Sequence, residues 1–281
     1  MKTVENKLSV ASSSALLLSV VKSLYTDGWG HEYLSHIDFS AVEKPAEELS
    51  RITPLFSEIL LLRKQMVRYL IKQLMIEHPY QQVCILAAGL DPLGLQIAEY
   101  FPEQLTSIYE VDTCHMQEKQ ALYAAVSYND ARLHTLHADI THTQQMMELL
   151  IAAGYRPHEP TLIVFEGIMH YIPEEHFLRV MRCFCSRGRN NAVIMDYTIP
   201  EEEMPASFIS RARALSDIME NNIGAYTRAY SRKKVMNLLS LLEAEITGVY
   251  DMQATEYVLY GYNKWFRSRG EGLLEMAAFH I

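Results

Sequence analysis

Residues 83–91 read VCILAAGLD, a short apolar run that ends at a glycine and an aspartate. A continuous apolar run of this length is typical of a strand that is buried on both faces of a sheet. Gly89 lets the backbone turn and approach a ligand closely, because glycine has no Cβ atom. The stretch therefore predicts a buried strand that ends in a tight turn at one edge of a sheet.

Similar runs recur along the chain and alternate with segments of helical length. The runs are 107–111, 132–136, 161–165 and 192–196. The helical segments between them are about 93–101, 114–128, 142–153 and 174–186. Strands that alternate with helices predict a mostly parallel sheet with helices on both faces. The predicted fold class is α/β with a Rossmann-like architecture.

Two more runs lie near the end of the sequence, at 244–251 and 255–262. They are separated by too few residues for a helical crossover, so we expect them to form an antiparallel hairpin. This hairpin would complete a seven-stranded sheet. Before the sixth strand, residues 201–230 are rich in Met, Arg and aromatic residues. These residues could form either a lid over a bound substrate or an ordinary helix that covers one face of the sheet.

The first 80 residues have a different, helical character. We expect one helix over 10–25 and a longer one over 54–78, with Pro54 in its first turn. Residues 27–33, DGWGHEY, read as an aromatic loop between them. The expected organisation is a helical extension or lid over 1–80, followed by a ligand-binding domain over 81–281.

The composition excludes several classes of protein. The 281 residues are 49% hydrophobic, and 25 Lys+Arg against 34 Asp+Glu give a formal net charge of −9. This acidic balance argues against a nucleic-acid partner. No apolar run reaches the roughly 18 residues that span a bilayer, and residues 15–21 are too short for a signal-peptide core. The four cysteines show no C-x-x-C spacing, so we expect a reduced, cytoplasmic protein with no metal site and no membrane partner.

Acidic residues follow four of the predicted strands or their loops: Asp91, Asp112, Asp139 and Glu166. In a doubly wound sheet, ligands bind outside the carboxyl ends of the strands, where the strand order reverses. Asp112 lies 23 residues after Gly89, close to the offset at which an acidic side chain binds ribose hydroxyls. Taken alone, Asp139 fits a helix N-cap, and Asp91-Pro92 fits a helix start. Four acidic positions in order favour a ligand site over these separate explanations.

Two cofactors that contain adenine and ribose compete for such a site. The dinucleotide fingerprint requires G-x-G-x-x-G, whereas residues 87–92 read AAGLDP and keep one glycine of the three. S-adenosylmethionine has no phosphate and carries a ribose, an adenine and a zwitterionic amino-acid group. Acidic strand ends suit its hydroxyls, its exocyclic amine and its ammonium group. The sequence therefore favours S-adenosylmethionine over a nicotinamide cofactor.

Four segments resemble the successive motifs of the leucine carboxyl methyltransferase family. They are VCILAAGLD at 83–91, YEVD at 109–112, ADI at 138–140 and FEGIMHYIPEE at 165–175. The resemblance covers roughly residues 55–200, and it implies a class I methyltransferase fold with S-adenosylmethionine as cofactor. Two positions depart from the family pattern. Ala87 replaces the first glycine of the loop, and its extra methyl group is tolerated if the backbone there is extended. Asp91-Pro92-Leu93 replaces the usual D-T-R.

The resemblance also implies roles for individual residues. Gly89, with its neighbour Ala88, would line the methionine portion of the cofactor, and Asp112 would hold the ribose. Asp139 and Ile140 would recognise the adenine. Glu166 would face the amino-acid end, with Tyr171 close to the methyl group. An arginine in the helix before the first strand would meet the cofactor carboxylate, and we assign it to Arg63, with Arg68 as the reserve.

The sequence defines the acceptor of the methyl group less closely than it defines the cofactor. A carboxylate is ionised at pH 7 and needs only alignment, whereas a hydroxyl needs a base. His170, with Tyr171 beside it, follows Glu166 and replaces a more usual apolar residue of the family segment, which favours a hydroxyl. With an ordinary histidine pKa near 6.5, activity would then fall as the pH drops through about 6.5.

The expected function is methylation of a hydroxyl or carboxyl oxygen of a small molecule, as in the natural-product branch of this family. One alternative is methylation of the C-terminal carboxyl group of a protein. The other is a non-catalytic protein that binds the cofactor. The oligomeric state stays open.

Overall fold

The computed structural model describes residues 8–9, 13–52, 54–126, 130–223 and 228–281. The α-helices in this part are α1 (Ser13–Val21), α2 (Gly28–Ser35), α3 (Ser40–Ile52), α4 (Pro54–Glu77), α5 (Leu93–Tyr100), α6 (Met116–Val126), α7 (Thr143–Ala152), α8 (Glu174–Arg182), α9 (Ala206–Ile223), α10 (Arg232–Leu241) and α11 (Met252–Tyr260). The strands are β1 (Leu8–Ser9), β2 (Ile37–Asp38), β3 (Gln82–Leu86), β4 (Ser107–Asp112), β5 (Leu133–His137), β6 (Thr161–Phe165), β7 (Ala192–Thr198), β8 (Glu245–Asp251) and β9 (Leu274–His280). Short 3-10 helices lie at Lys22–Leu24, Met169–Tyr171 and Glu201–Glu203. Within these described residues, no helix is both long and apolar enough to cross a membrane.

Seven strands form one mixed sheet in the order β5-β4-β3-β6-β7-β9-β8. The strands from β5 to β7 in this order pair in parallel, and β9 pairs antiparallel with both of its neighbours. Every residue of β3 and β6 is buried, as expected for strands covered by helices on both faces. The predicted α/β fold and the five predicted parallel strands are confirmed.

The order of the strands reverses between β3 and β6. From β3 the chain proceeds outward through β4 to β5, and it then returns to place β6 on the other side of β3. Such a reversal leaves a crevice outside the carboxyl ends of the two central strands, because the connections leave in opposite directions. The segments that follow β3, β4, β5 and β6 meet at this edge.

The predicted hairpin of 244–251 and 255–262 is wrong in its second strand. Residues 255–260 belong to α11, which Asp251 caps by accepting a hydrogen bond from the Ala254 N–H at 2.8 Å. Gly261 ends this helix in the left-handed region, with φ +76°. The antiparallel strand is β9, which inserts between β7 and β8. Its sequence LEMAAFH has helical propensity, but burial between two strands outweighs that preference.

The N-terminal region is helical, with one correction. The loop predicted over 27–33 lies mostly in α2, where the Trp29 N–H donates to the Glu99 carboxylate and the fully buried Tyr33 donates to the Leu90 carbonyl. The helix predicted over 10–25 is shorter and ends at Val21, and residues 10–12 lie outside the described residues. Residues 127–128 and 224–227, which belong to two other predicted segments, also lie outside them.

The N-terminal helices share a hydrophobic core with the sheet domain. Leu16, Ile59 and Leu62 from α1 and α4 belong to the same buried cluster as Leu95 of α5 and Leu274 of β9. This packing holds α1 and α4 across the edge of the sheet where the crevice lies. The first 80 residues therefore contribute directly to the surroundings of any ligand bound there.

Candidate active site

One cavity of about 520 Å³ lies at the carboxyl edge of the sheet. Its lining includes the four acidic residues that follow the strands: Asp91, Asp112, Asp139 and Glu166. It also includes the other predicted site residues: Arg63, Ala88, Gly89, Ile140, His170 and Tyr171. The volume is within the range of about 300–1,000 Å³ that small-molecule sites occupy. The structure thus brings all of the predicted site residues together around one cavity.

Asp112 ties the loop after β3 to the end of β4. Its Oδ2 accepts a hydrogen bond from the Gly89 N–H at 2.8 Å, and its Oδ1 accepts one from the Cys114 N–H at 3.0 Å. The Thr113 hydroxyl group also lies 3.4 Å from Oδ1, so Oδ2 keeps a free lone pair, and Oδ1 can accept a bond from a ligand when Thr113 turns away. Ser14 of α1 closes the other side of the loop, because its hydroxyl oxygen accepts the Leu90 N–H at 2.8 Å.

The backbone at Ala87 is not extended. Extended geometry was the condition under which the extra methyl group is tolerated, but Ala87 has φ +51°, in the left-handed region that costs a residue with a side chain about 1 kcal/mol or more. Gly89, two residues later, has φ +52°. The loop therefore requires a left-handed conformation twice, and this requirement explains the glycine that the family places at position 87.

Asp139 and Ile140 lie side by side at the end of β5. Asp139 Oδ1 accepts hydrogen bonds from the N–H and the hydroxyl group of Thr141, both at 2.8 Å. Burial opposes ionisation of Asp139, but these two hydrogen bonds outweigh it and lower the pKa of the carboxyl group. Ile140 is buried and presents an apolar side chain to the same cavity. A carboxylate beside an apolar surface can accept from an exocyclic amine and pack against a flat ring.

A charged cluster lies at the end of β6, where α4 crosses it. Arg63 Nε is 2.9 Å from Glu166 Oε1, and Arg63 Nη1 is 3.6 Å from Asp196 Oδ2. Lys64 Nζ is 3.0 Å from both oxygens of Glu166, and it also pairs with Asp91. The Glu166 carboxylate thus lies between two cations. The pKa of Asp91 is lowered because Lys64 and Arg68 outweigh the opposing effect of its burial.

The two candidate arginines occupy different environments. Arg63 lines the cavity, and only 7% of its surface is exposed. Arg68 is absent from the described lining of the cavity. Its Nε donates to Gln96 Oε1 at 2.7 Å, and its guanidinium lies 4.8 Å from the centre of the Tyr25 ring. The geometry therefore agrees with the choice of Arg63 over Arg68, although the carboxylate contact itself stays a prediction.

His170 and Tyr171 lie in the short 3-10 helix after β6. The His170 side chain packs edge-on against Tyr171, with ring centres 4.2 Å apart. Its Nδ1 atom is buried without a hydrogen-bond partner among the described residues. Burial and the nearby Arg63 charge lower the pKa of His170 to about 3, so the expected change of activity near pH 6.5 does not follow from this histidine. Burial raises the pKa of Tyr171 and keeps it a phenol.

Three side chains of this site were missed by the sequence reasoning. Lys64 follows Arg63 directly, but nothing in the sequence indicates that it pairs with Asp91 and Glu166. Asp196 ends the predicted run 192–196 and lies two residues before the end of β7, so the acidic signal used for the other strand ends also applied to it. Asp196 is fully buried behind Arg63 and accepts the Gly167 N–H at 2.5 Å. Ser14 could not be found, because its contact depends on how α1 packs over the loop.

These residues fit S-adenosylmethionine. Its amino-acid group is a zwitterion, and Glu166 with Arg63 and Lys64 offers an anion and two cations at one end of the cavity. Asp112 has free acceptor capacity for a ribose diol, and Asp139 with Ile140 suits an adenine. Because Gly89 has no Cβ, the loop after β3 can pack closely against Ser14 of α1 at the edge of the cavity. An added Cβ would collide with Ser14 Oγ.

Gly89→Ala tests this close approach. We expect it to destabilise the fold by about 1–2 kcal/mol through the left-handed backbone and to weaken binding of S-adenosylhomocysteine, because Ser14 must move. Gly261→Ala is the matched control, since Gly261 also has a positive φ but has no atom within 4 Å of the added Cβ. It should show a similar loss of stability with unchanged affinity. Calorimetric titration and thermal unfolding of both variants measure this, and equal affinities would contradict the assignment of the loop.

Comparisons with known proteins agree with this geometry. Residues 17–185 match the family model described as leucine carboxyl methyltransferase. A candidate S-adenosyl-L-methionine-dependent methyltransferase of Parafrankia sp. is 32% identical over 103 residues, which are 36% of this chain and 32% of that protein. A protein of the same description from Streptomyces avermitilis is 30% identical over 95 residues, 34% of this chain and 32% of that protein. The match thus spans about a third of the length of these curated relatives.

A solved structure shows the same fold over almost the whole chain. It is a candidate methyltransferase of Thermobifida fusca, which is 15% identical, with a TM-score of 0.69, and the match covers 99% of this chain and 96% of that one. The family match includes Arg63, Asp112, Asp139 and Glu166, and thus the charged residues that define the cofactor end of the cavity. The predicted resemblance and cofactor are confirmed. Because the match covers more than half of the sequence, the chain belongs to the leucine carboxyl methyltransferase family of S-adenosylmethionine-dependent methyltransferases.

Proposed function

We propose that this protein transfers the methyl group of S-adenosylmethionine to an oxygen atom of a small molecule, with a hydroxyl group as the acceptor. The observation that carries this proposal is the continuity of the cavity. The same cavity that holds the acidic strand ends continues to His170 and Tyr171. The ring of His170 forms part of the cavity lining there, and its buried Nδ1 atom has no partner among the described residues.

The chain's own groups would bind and orient both reactants. When bound, S-adenosylmethionine supplies an electrophilic methyl group. Glu166 would hold the ammonium group, and Arg63 would hold the carboxylate. Asp112 would fix the ribose, so that the methyl group points towards His170 and Tyr171. Alignment of this kind is a major source of rate enhancement in displacement reactions.

His170 would orient the acceptor by a hydrogen bond and would not act as the general base that takes the acceptor's proton. With its pKa lowered to about 3, the imidazole is neutral over the whole physiological range. A base this weak does not hold the proton that the acceptor hydroxyl group loses, so that proton passes to water. The neutral ring still offers one hydrogen-bond acceptor and one donor, which is sufficient to orient a hydroxyl group against the methyl carbon.

His170→Ala distinguishes these two roles. Loss of one orienting hydrogen bond costs about 1 kcal/mol, which lowers kcat/KM about fivefold. Loss of a true general base would cost about 10²–10⁴-fold. We expect the smaller effect, together with a wild-type profile that is flat from about pH 5.5 to 8, because the imidazole does not titrate there. His176→Ala is the control: its Nδ1 is also buried without a hydrogen-bond partner in the described part of the chain, but His176 is absent from the described cavity lining.

The direct test is turnover. The purified protein is incubated with methyl-labelled S-adenosylmethionine and three sets of acceptors: small hydroxyl compounds, small carboxylic acids and peptides with a free carboxyl end. S-adenosylhomocysteine and labelled ether are expected with the first set. Labelled ester from the peptides would instead support protein carboxyl methylation. Tight binding of S-adenosylmethionine without turnover on any set would support a non-catalytic role and overturn the proposal.

A further inference from the structure

The cavity-facing side of α4 changes in character along its length. Phe56, Ile59, Leu60, Arg63 and Lys64 line the cavity, and spacings of three and four residues place them on one face of the helix. With a rise of about 1.5 Å per residue, Phe56 lies about 10 Å along the helix axis from Arg63. The cavity is therefore ionic where α4 crosses β6 and apolar about two turns away.

Residues of other elements continue this apolar surface, which we call the apolar wall. It consists of Leu17, Leu18, Phe56, Ile59, Leu60 and Leu274. All six belong to one hydrophobic cluster or pack against it, so they form a connected surface rather than scattered contacts. Thr198, which pairs with Leu274 across β7 and β9, adds a hydroxyl group to the lining but no charge.

The charges of the lining also restrict what can bind beside the cofactor. Among the described lining residues there are four carboxylates but only two cations, Arg63 and Lys64. Both cations are already paired with acidic groups. The cofactor itself carries one net positive charge, which still leaves the cavity without positive excess. A second anion would therefore be buried without a counter-charge, and that is unfavourable.

From these observations we infer that the acceptor is an uncharged, largely apolar molecule with a hydroxyl group, bound against the apolar wall. This inference rests on the proposed methyltransferase function and names its substrate class. The molecule lies with its hydroxyl group at His170 and its apolar body along α1 and α4. The charge of the cavity lining disfavours the binding of carboxylic acids and charged peptide ends.

Leu273 provides a second observation for this surface. It lines the cavity next to Leu274 and has φ +68°, although leucine in the left-handed region is strained. A glycine at this position would remove the strain, as at Gly270 and Gly272 in the same loop, which have φ +81° and +92°. Strained residues of this kind persist mainly at functional sites. The side chain of Leu273 thus has a role in the cavity that glycine cannot fill.

The test compares two probes that differ only in charge, 2-naphthol and 2-naphthoate, titrated calorimetrically at pH 7 into the protein saturated with S-adenosylhomocysteine. A naphthol is neutral at this pH and the carboxylate is ionised. We expect 2-naphthol to bind at least tenfold more tightly than 2-naphthoate. Equal affinity, a preference for 2-naphthoate, or binding of neither probe would overturn the inference.

Two variants on α1 sharpen the comparison. Leu17→Lys places a cation in the apolar wall and should reverse the preference in favour of 2-naphthoate. Val20→Lys is the matched control, because Val20 is also partly buried on α1 but lies outside the described lining. It should keep the wild-type preference. An unchanged preference in Leu17→Lys would show that the probes bind elsewhere.

A third variant, Leu273→Gly, separates binding from folding. It should weaken 2-naphthol binding several-fold with little change in Tm, because the relief of backbone strain offsets the lost packing of the side chain against the hydrophobic cluster. A lower Tm with unchanged affinity would assign Leu273 to packing and contradict its role in the cavity. Failure of the wild-type protein to bind S-adenosylhomocysteine would instead count against the proposed function, and it is measured first.

Discussion

Arg63→Ala is expected to lose most of its affinity for S-adenosylmethionine and to be markedly less stable than the wild type. Arg63 is the buried cation between Glu166 and Asp196. Removing one partner of a buried ion pair costs about 3–5 kcal/mol, because the remaining charge has lost its compensation. Lost contact with the cofactor carboxylate costs about a further 1.5–3 kcal/mol of binding free energy, or roughly 10–150-fold in affinity. Urea unfolding and calorimetric titration of S-adenosylhomocysteine measure the two effects separately.

Two further variants on α4 make this prediction specific. Arg63→Lys should recover only part of the affinity, because a point charge does not reproduce the planar guanidinium group. Arg68→Ala is the matched control: Arg68 is also largely buried on α4, but it contacts Gln96 and Tyr25 outside the described lining of the cavity. It should lose stability but change the affinity little. A larger loss of affinity in Arg68→Ala than in Arg63→Ala would reverse the assignment.

Asp112→Ala is expected to reduce cofactor affinity by about 30–1,000-fold. Two charge-assisted hydrogen bonds to a ribose diol contribute on the order of 2–4 kcal/mol. The variant also removes the acceptor of the Gly89 N–H, so the loop loses an anchor. Asp112→Asn keeps one acceptor oxygen and should bind with intermediate affinity. Calorimetric titration of S-adenosylhomocysteine into each variant is the measurement.

The control for this variant is Asp130→Ala. Like Asp112, Asp130 accepts a hydrogen bond from the backbone N–H two residues later, that of Arg132, at 3.0 Å. It precedes β5, however, and is absent from the described cavity lining. Its removal should leave the affinity unchanged. Unaltered affinity in Asp112→Ala would remove the ribose assignment, and preferential binding of a nicotinamide nucleotide would contradict the cofactor.

The central strands and the acidic residues at the carboxyl edge of the sheet could be predicted from sequence, because both depend on local patterns. A strand buried on both faces is a continuous apolar run, and β3 and β6 show that pattern without interruption. Parallel strands bring their carboxyl ends to one edge, so Asp112, Asp139 and Glu166 could be grouped before any contact was known. The confirmed part of the fold is therefore the part in which each strand and the residue at its end can be recognised from the local sequence alone.

The remaining errors arise where packing outweighs local preference. Residues 274–280 have helical propensity but form β9, because they fill the gap between β7 and β8. The glycines of 27–33 indicated a loop, yet that segment is helical because Tyr33 is buried and Trp29 bonds to Glu99. Ala87 adopts a left-handed backbone that alanine avoids. Lys64 joins the charged cluster through tertiary contacts with no signature in the sequence.

The position of β9 has a consequence for how the chain reaches its folded state. β8 precedes β9 in sequence, but its described pairing in the sheet is with β9 alone. Until residues 274–280 leave the ribosome, β8 has no neighbour to join, and β7 presents an unpaired edge of apolar residues. Exposed edges of this kind are templates for intermolecular pairing. During synthesis the chain is therefore most vulnerable to aggregation just before β9 emerges, and a truncation that removes β9 should yield insoluble protein.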